Sequence, residues 1–164
     1  MIGPVAKLSR LVLAVALTGT GLNCADSATV PIALDSISNP VNVSGTWTGT
    51  ESDRLGPALL TWNLTQTGTA VAGTVLMRPV DPYDGSCASC HKFKDGVVTG
   101  TLSGSTFKIV MYFAAGGQDA TPACSITLNS DAATVSQLTI TGNYAGSDPC
   151  EGTFDGTLAM TRKP

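Results

Sequence analysis

The chain is poor in the residues on which most enzymatic and nucleic-acid-binding sites depend. It has a single histidine among 164 residues, and only 13% of its residues are charged. One histidine, with no nucleophile elbow around any serine, argues against a Ser/His/Asp triad. The net charge of -3 and the lack of a basic stripe argue against binding to nucleic acid. We therefore predict that the protein is not an enzyme and has no nucleic-acid partner.

Long apolar runs are also lacking, and the longest one lies close to the N-terminus. Lys7 and Arg10 precede the apolar residues 11–17, and the small, turn-like residues 18–23 follow them. A run of this length is too short for a permanent transmembrane helix. The order of a basic, an apolar and a turn-like segment is typical of an export signal. We predict a signal peptide at residues 1–23, and therefore a protein exported to the periplasm or the cell surface.

Cys24 follows the predicted signal peptide directly, in a segment that resembles the lipobox of bacterial lipoproteins. The resemblance implies that Cys24 becomes the lipidated first residue, although Leu22 stands one place late and Asn23 replaces the usual small residue. Cleavage after Ser27 by an ordinary signal peptidase is the alternative. A fifth cysteine would otherwise be an odd free thiol in an oxidising compartment. We therefore expect residues 24–42 to form an anchor in membrane lipid followed by a flexible tether.

Alternating apolar and polar residues fill the chain from residue 43 onward, with turn residues about every ten positions. No segment has the periodicity of a helix. We predict six strands at residues 43–50, 58–66, 69–78, 96–103, 106–113 and 123–129. A turn at Ser130 and Asp131 leads to the seventh strand, and residues 151–161 form the eighth. The inner face of the seventh strand is predicted to carry Leu138, Ile140, Gly142 and Tyr144.

Eight short strands with brief links favour an all-β domain at residues 43–164, folded as an antiparallel up-and-down β-barrel. Closure of the barrel removes exposed strand edges. A two-sheet sandwich, which is the alternative, would need long crossovers that the links do not provide. The inward-facing tryptophan, phenylalanine, methionine and aliphatic residues are bulky enough to fill a barrel of eight strands. We therefore expect a filled lumen and no bound cofactor.

The segment from Ser44 to Trp47 resembles the first-strand Gly-x-Trp motif of the avidin and lipocalin-like barrels, the calycin type. The resemblance implies that Gly45 and Trp47 belong to a barrel-closing motif in which the tryptophan plugs one end. In lipocalins an arginine after the last strand packs across that tryptophan, and Arg162 occupies a comparable place. The repeated Gly-Thr pairs are similar to those of small exported barrels of bacterial envelopes. A biotin site of the avidin type is not implied, because further tryptophans and polar groups in the lumen are lacking.

Four of the five cysteines and the only histidine are predicted to meet at one end of the barrel, which we call the rim. Alternate connections of an up-and-down barrel lie at the same end. The residues that meet there are Cys87, Cys90, His91, Cys124 and Cys150. The rim comprises residues 79–95 together with the connections near Asp119 and Asp148. Its acidic residues are Asp81, Asp84, Asp119, Asp148 and Glu151.

Two disulfide bonds are the simplest use of four cysteines in an oxidising compartment. Sequence alone allows three pairings. We favour Cys124–Cys150, because both residues lie at the same end of nearly adjacent strands. Cys87–Cys90 would then close the small loop between them.

Covalent haem is the main alternative for this end of the barrel. Cys87, Cys90 and His91 match the c-type attachment motif, in which both thiols add to the haem vinyl groups and the histidine ligates iron. That motif usually opens a helix, whereas residues 92–96 lead straight into a strand. A zinc site built from three cysteines and His91 is a third possibility, but free thiolates are disfavoured in an oxidising compartment. We expect no metal.

Together these patterns predict a non-enzymatic, lipid-anchored envelope barrel that acts as an accessory or binding module. Its disulfide-stapled rim is expected to contact a protein partner, such as a membrane complex. The alternative is a monohaem electron-transfer protein that uses Cys87, Cys90 and His91.

Overall fold

Alternation of outward polar and inward apolar residues gives the chain eight β-strands, which form one closed antiparallel barrel. The computed structural model describes residues 41–81, 92–116 and 124–164. Each strand pairs with the next along the chain, and the last pairs back with the first, so the predicted up-and-down barrel is confirmed. Within those three ranges no helix has the length and apolar character that a membrane crossing requires. The strands are β1 (Gly45–Asp53), β2 (Gly56–Thr67), β3 (Ala70–Pro79), β4 (Lys94–Ser103), β5 (Thr106–Phe113), β6 (Ile126–Val135), β7 (Thr139–Asp148) and β8 (Gly152–Arg162).

The fifth strand shows how the alternation builds the core. Every second residue of β5 is buried and its neighbours are exposed, and its bounds are those predicted from the sequence. The buried residues of β5 are Phe107, Ile109, Met111 and Phe113. Other fully buried large side chains are Trp47, Leu60, Trp62, Met77, Leu128, Ile140 and Met160. Because these side chains all point inward, they occupy the lumen of the barrel.

The sixth strand differs from the prediction. β6 continues through Ser130 and Asp131 to Val135, so the turn predicted at these two residues is wrong. The pairing of β6 with both neighbours shifts here, and Asp131 and Ala132 are both exposed, which marks a β-bulge. Ser130 is buried, and its hydroxyl donates to the Asn143 carbonyl oxygen at 2.6 Å. A polar residue is tolerated inside this strand because its hydrogen bond is made within the sheet.

The connection between β6 and β7 lies instead around Ser136 and Leu138. Ser136 Oγ accepts hydrogen bonds from the backbone N–H groups of Leu138, at 3.2 Å, and Thr139, at 2.9 Å. Hydroxyl side chains stabilise turns in this way. Leu138 was predicted on the inner face of the seventh strand, but it lies in the turn and is 64% exposed.

The end of the barrel opposite the rim is covered by Trp47 and Arg162, and we call it the closed end. Trp47 is fully buried, and its Nε1 donates to the Val43 carbonyl oxygen at 2.8 Å. The Arg162 guanidinium lies 4.6 Å from the centre of the Trp47 ring and donates to the Ser44 carbonyl oxygen at 2.7 Å. Gly45 begins β1 with a φ of 126°, an angle that residues other than glycine rarely adopt. The three residues singled out by the resemblance therefore lie together at this end.

Candidate functional site

The first strand carries two carboxylates into the barrel at the rim. β1 was predicted to end at residue 50, but it runs on to Asp53. Side chains alternate along a strand, so Glu51 and Asp53 continue the inner face that begins with Trp47. Both carboxylate side chains are completely buried. An unpaired buried carboxylate is very costly, so the two require a counter-charge.

Lys92 supplies this charge from the connection between β3 and β4. Its Nζ lies 2.6 Å from Glu51 Oε1 and 2.7 Å from Asp53 Oδ2. The Tyr144 hydroxyl, on β7, donates to Glu51 Oε2 and lies 2.8 Å from Asp53 Oδ2. We call these four residues the ion-pair cluster. The cluster joins β1, β7 and the start of β4 across the barrel at the rim.

Burial is the largest influence on the acid–base behaviour of the ion-pair cluster. It raises the pKa of Glu51 above the ordinary value, and the charge and hydrogen bonds of Lys92 and Tyr144 reverse only part of that rise. Burial also raises the pKa of Tyr144. The neighbouring carboxylates raise the pKa of Tyr144 further, because a phenolate would stand beside two negative charges. Tyr144 therefore stays protonated and acts as a hydrogen-bond donor.

Two local features hold the cluster in position. Asp53 Oδ1 accepts a hydrogen bond from the Leu55 N–H at 2.8 Å, which ties the cluster to the turn between β1 and β2. Gly156 on β8 lies directly opposite Tyr144, and the phenol of Tyr144 occupies the space that a side chain at residue 156 would need. Glycine is therefore required at this position for Tyr144 to reach Glu51.

A disulfide bond joins Cys124 to Cys150 at the same end, with the two Cα atoms 6.2 Å apart. The favoured pairing of these two cysteines is therefore present, although Cys124 precedes β6 and does not lie inside the sixth strand. The Cys150 N–H donates to Asp148 Oδ1 at 2.7 Å, and Asp148 is buried. The two sulfurs and the Asp148 carboxylate lie within 4.8 Å of one another. They do not suit zinc, because a disulfide offers no thiolate ligand.

Two further contacts bind neighbouring rim connections together. Arg54, between β1 and β2, donates to the Glu151 carbonyl oxygen at 2.6 Å, and its guanidinium lies 3.7 Å from the Glu151 carboxylate. Lys94 Nζ donates to the Gly116 carbonyl oxygen at 3.0 Å. With the ion-pair cluster and the disulfide, these contacts fix described residues of all four connections at the rim.

The remaining predicted site residues lie outside the described ranges. They are Cys24, Asp84, Cys87, Cys90, His91 and Asp119. The lipid anchor, the Cys87–Cys90 pair and the haem motif therefore stay predictions. Asp81 is described, and it is exposed just after β3.

The ion-pair cluster is suited to holding the rim in place and poorly suited to reacting. Its ammonium, carboxylates and hydroxyl are hydrogen-bonded to one another, and the side chains of Glu51 and Asp53 are closed off from solvent. A general acid or base must come within hydrogen-bonding reach of a substrate, which these buried groups do not. The chemistry of the cluster is therefore electrostatic, and its effect is to fix Lys92 and the start of β4.

Glu51, Asp53 and Lys92 were not among the site residues predicted from the sequence. The inward period that starts at Trp47 includes both carboxylates, so a strand extended by three residues would have placed them in the lumen. Lys92 offers no comparable signal, because it lies 41 residues from Glu51 along the chain.

Comparison with known proteins gives similarity in structure only. No protein-family model matches the chain, and no curated protein sequence matches it. A redesigned β-barrel, mFAP1, bound to DFHBI has a TM-score of 0.48 and 11% identity, over 73% of this chain and 94% of that chain. EF1p2_mFAP2b bound to DFHBI has a TM-score of 0.49 and 11% identity, over 74% of this chain and 93% of that chain. At this identity the likeness concerns the barrel architecture alone.

Proposed function

We propose that this protein is a non-enzymatic binding module of a bacterial envelope that contacts a protein partner through its rim. The observation that carries the proposal is the bracing of described residues in all four rim connections by the ion-pair cluster, the Cys124–Cys150 disulfide and the Arg54–Glu151 contact. A surface that is ordered before association loses less conformational entropy on binding. A rim braced in this way is therefore suited to recognition.

Two observations favour binding at the rim over catalysis or a ligand in the lumen. The titratable groups of the ion-pair cluster are paired with one another and buried, so they are poorly placed to act on a substrate. Large side chains such as Trp47, Trp62 and Phe113 occupy the lumen. A barrel of eight strands has room for its own side chains or one small ligand, and here side chains take that room.

We further propose that the module is exported and attached to membrane lipid through Cys24. The support is the signal-like order of residues 1–23 and the lipobox-like segment that follows. The chain enters the barrel at the closed end, where the Val41 carbonyl oxygen accepts a hydrogen bond from Gln66. An anchor upstream of Val41 would therefore join the barrel at the end opposite the rim.

Site-specific photo-crosslinking in cells tests the partner surface. A photoreactive residue introduced at Asp81 or Ala114, both exposed at the rim, is expected to give an adduct with another envelope protein. The same residue at Ser136 or Thr141, at the closed end and on the barrel side, is the matched control and should give none. Adducts from the controls alone, or from no position, would contradict a rim-directed contact.

Fractionation tests the anchor separately. After an alkaline carbonate wash that strips peripherally bound protein, Cys24→Ser should move the protein from the membrane fraction to the soluble fraction, because a lipid chain on the cysteine would be lost. Unchanged membrane retention would contradict lipidation at Cys24 and would leave the rim proposal intact.

The second candidate is a monohaem electron-transfer protein, and one sequence observation favours it. Cys87, Cys90 and His91 match the c-type attachment motif, and the Cys124–Cys150 disulfide leaves the first two cysteines for other uses. The purified protein would then show a Soret band and keep haem on a denaturing gel. A colourless protein with neither signal would exclude this candidate.

A further inference from the structure

The outer surface of the barrel differs between its two sides. Five large apolar side chains on the adjacent strands β2 to β5 are between 37% and 50% exposed. We call them the apolar band, and they are Leu59, Leu76, Val97, Val110 and Tyr112. Among the described residues, the other exposed large apolar side chains are Val80 and Leu138, and both lie in connections. Strands β6, β7, β8 and β1 show small or polar side chains on the outside.

The strand register makes the apolar band one continuous patch. Val97 and Tyr112 are directly opposite on β4 and β5, and Val110 lies two residues from Tyr112 on the same face. Leu76 is the diagonal neighbour of Val97, and Leu59 is the diagonal neighbour of Leu76. Diagonal neighbours in a sheet are about 7–8 Å apart, within reach of such side chains. Contiguous exposed apolar patches of this kind mark interaction sites.

Charge is divided between the same two sides. The outer face of β2 to β5 carries Arg78, Asp95 and Lys108, and Arg78 pairs with Asp95 at 2.6 Å, which leaves one positive charge from Lys108. The opposite side carries the exposed Asp131 and Asp155. The apolar side is therefore the side that a negatively charged surface would attract.

The shape of the apolar side favours a deformable surface over a protein. In the described part of the barrel, hollows lie over β6, β7, β8 and β1 and at the closed end beside Val41. Protein interfaces depend on side chains that fill pockets, whereas a lipid surface needs no pocket and adapts to a convex barrel wall. Tyrosine and lysine beside an apolar patch also suit the boundary between lipid headgroups and acyl chains.

The path of the chain allows this orientation. The Gln66 side chain accepts from the Val43 N–H at 2.8 Å and donates to the Val41 carbonyl oxygen at 3.4 Å, so the chain enters beside β2, at the edge of the apolar side. The segment from Cys24 to Val41 can reach roughly 55 Å when extended. This exceeds the roughly 40 Å length of β2. An anchor at Cys24 would therefore permit the barrel to lie on its side.

We infer that the apolar band, with Lys108 beside it, lies against the surface of a membrane that contains anionic lipids. This inference rests on the proposed attachment to the membrane. The side chains of the band enter the acyl-chain boundary, Lys108 meets the headgroups, and Asp131 and Asp155 face away. The rim then stays open at one end of the barrel, where a membrane-bound partner can reach it.

Fluorescence quenching by brominated lipids tests the inference with the full chain. Tyr112→Trp places an indole in the band, while both native tryptophans are buried in the lumen. Thr141→Trp, on the outside of β7, is the matched control. On vesicles of brominated phosphatidylcholine and phosphatidylglycerol, the Tyr112→Trp chain should lose its added fluorescence and the Thr141→Trp chain should keep it. Circular dichroism of each variant checks that the barrel is intact.

A second measurement uses the Cys24→Ser chain, in which the lipid is absent. Its partition onto the same vesicles depends on the band alone. Val97→Thr and Val110→Thr, both compatible with a strand, should each weaken the partition at least about four-fold, since each removes a methyl group from the acyl region. Thr141→Ser, which removes a methyl group on the opposite side of the barrel, is the control and should leave the partition nearly unchanged.

The outcomes separate the band from the anchor. If mass spectrometry finds no lipid on Cys24 and the Tyr112→Trp chain is still quenched, the band is supported and anchoring at Cys24 is contradicted. Equal quenching of the two chains, or quenching of neither, overturns the inference even if the lipidated chain is attached. A dimer that depends on Tyr112, or a crosslink from Val97 to another protein, without quenching on vesicles, assigns the band to that partner and also overturns the inference.

Discussion

The openings at the two ends of the barrel are covered by different kinds of contact. At the closed end Trp47 fills the opening, and the Arg162 guanidinium covers its ring and binds backbone carbonyls. At the rim the ion-pair cluster crosses the opening, and the Cys124–Cys150 disulfide ties two connections together. The closed end therefore depends on packing, whereas the rim depends on charge and on the redox state. The two ends should respond to different conditions.

Removal of the Lys92 charge, at the rim, should lower the stability of the protein more than any other change considered. Lys92→Met leaves Glu51 and Asp53 buried without a counter-charge, and breaking a buried pair in this way costs about 3–5 kcal/mol in the free energy of unfolding. Urea unfolding at neutral pH measures the loss. Lys108→Met, at an exposed position, should change the same quantity by less than about 0.5 kcal/mol. Equal effects of the two substitutions would contradict a stabilising cluster.

Removal of the disulfide should come next. The combined Cys124→Ala and Cys150→Ala substitutions release a crosslink between residues 26 apart, which the chain-entropy model values at about 3.5 kcal/mol. Differential scanning calorimetry of the double variant measures the loss, and the single Cys24→Ser substitution, outside the barrel, is the control. If the double variant unfolded at the same temperature as the control, the disulfide would contribute little to the stability of the barrel.

The pH dependence of stability should come from the rim and involve Glu51. Burial raises the pKa of Glu51 in the folded protein above its ordinary value of 4.5, so the folded state holds a proton that the unfolded chain has already lost. Stability from this residue is therefore complete below 4.5 and falls as pH rises through the raised pKa. Each unit between the two pKa values corresponds to about 1.4 kcal/mol.

Glu51→Gln should remove this slope, and unfolding curves at a series of pH values above 4.5 measure it. As pH falls toward 4.5, the native chain should gain stability relative to Glu51→Gln. Arg162→Lys, at the closed end, should keep the native slope. A native chain that gains stability relative to Glu51→Gln as pH rises would show that the pKa of Glu51 is not raised by folding.

The smallest effect is expected at the closed end. Arg162→Lys keeps the charge but loses the planar group over Trp47, and it should cost about 1 kcal/mol. The loss, measured by urea unfolding, should be the same at acidic and neutral pH and unchanged by reductant. A loss that varied with either condition would remove the distinction between the two ends.

The barrel could be predicted from the sequence because most strands have a local pattern of alternating apolar and polar residues. The bounds of β5 follow from strict alternation, and the Cys124–Cys150 pair follows from strand order. The prediction was wrong where a polar residue inside a strand makes its hydrogen bond to a residue on another strand. Ser130 and Asp131 indicated a turn because nothing nearby shows that Asn143 receives the Ser130 hydrogen bond.

At the rim, contacts between residues that are still farther apart in the chain were not predicted. The first strand was predicted to end just before Glu51, and a lone carboxylate is costly inside a barrel. Only the folded chain brings Lys92 and Tyr144 to it, from 41 and 93 residues away. Contacts over such separations have no local signature, so the pairing of Glu51 with Lys92 and Tyr144 could not be foreseen.

The pairing of β1 with β8 has a consequence for how the chain must fold. The cylinder closes only when its first strand meets its last, which is the most non-local contact the topology allows. Contacts of high sequence separation slow folding, because the entropy of the whole intervening chain is lost before they form. Until residues 152–162 arrive, β1 and β7 each present an unpaired edge that another chain could join. A chain cut short before Gly152 would therefore be prone to aggregate through these edges.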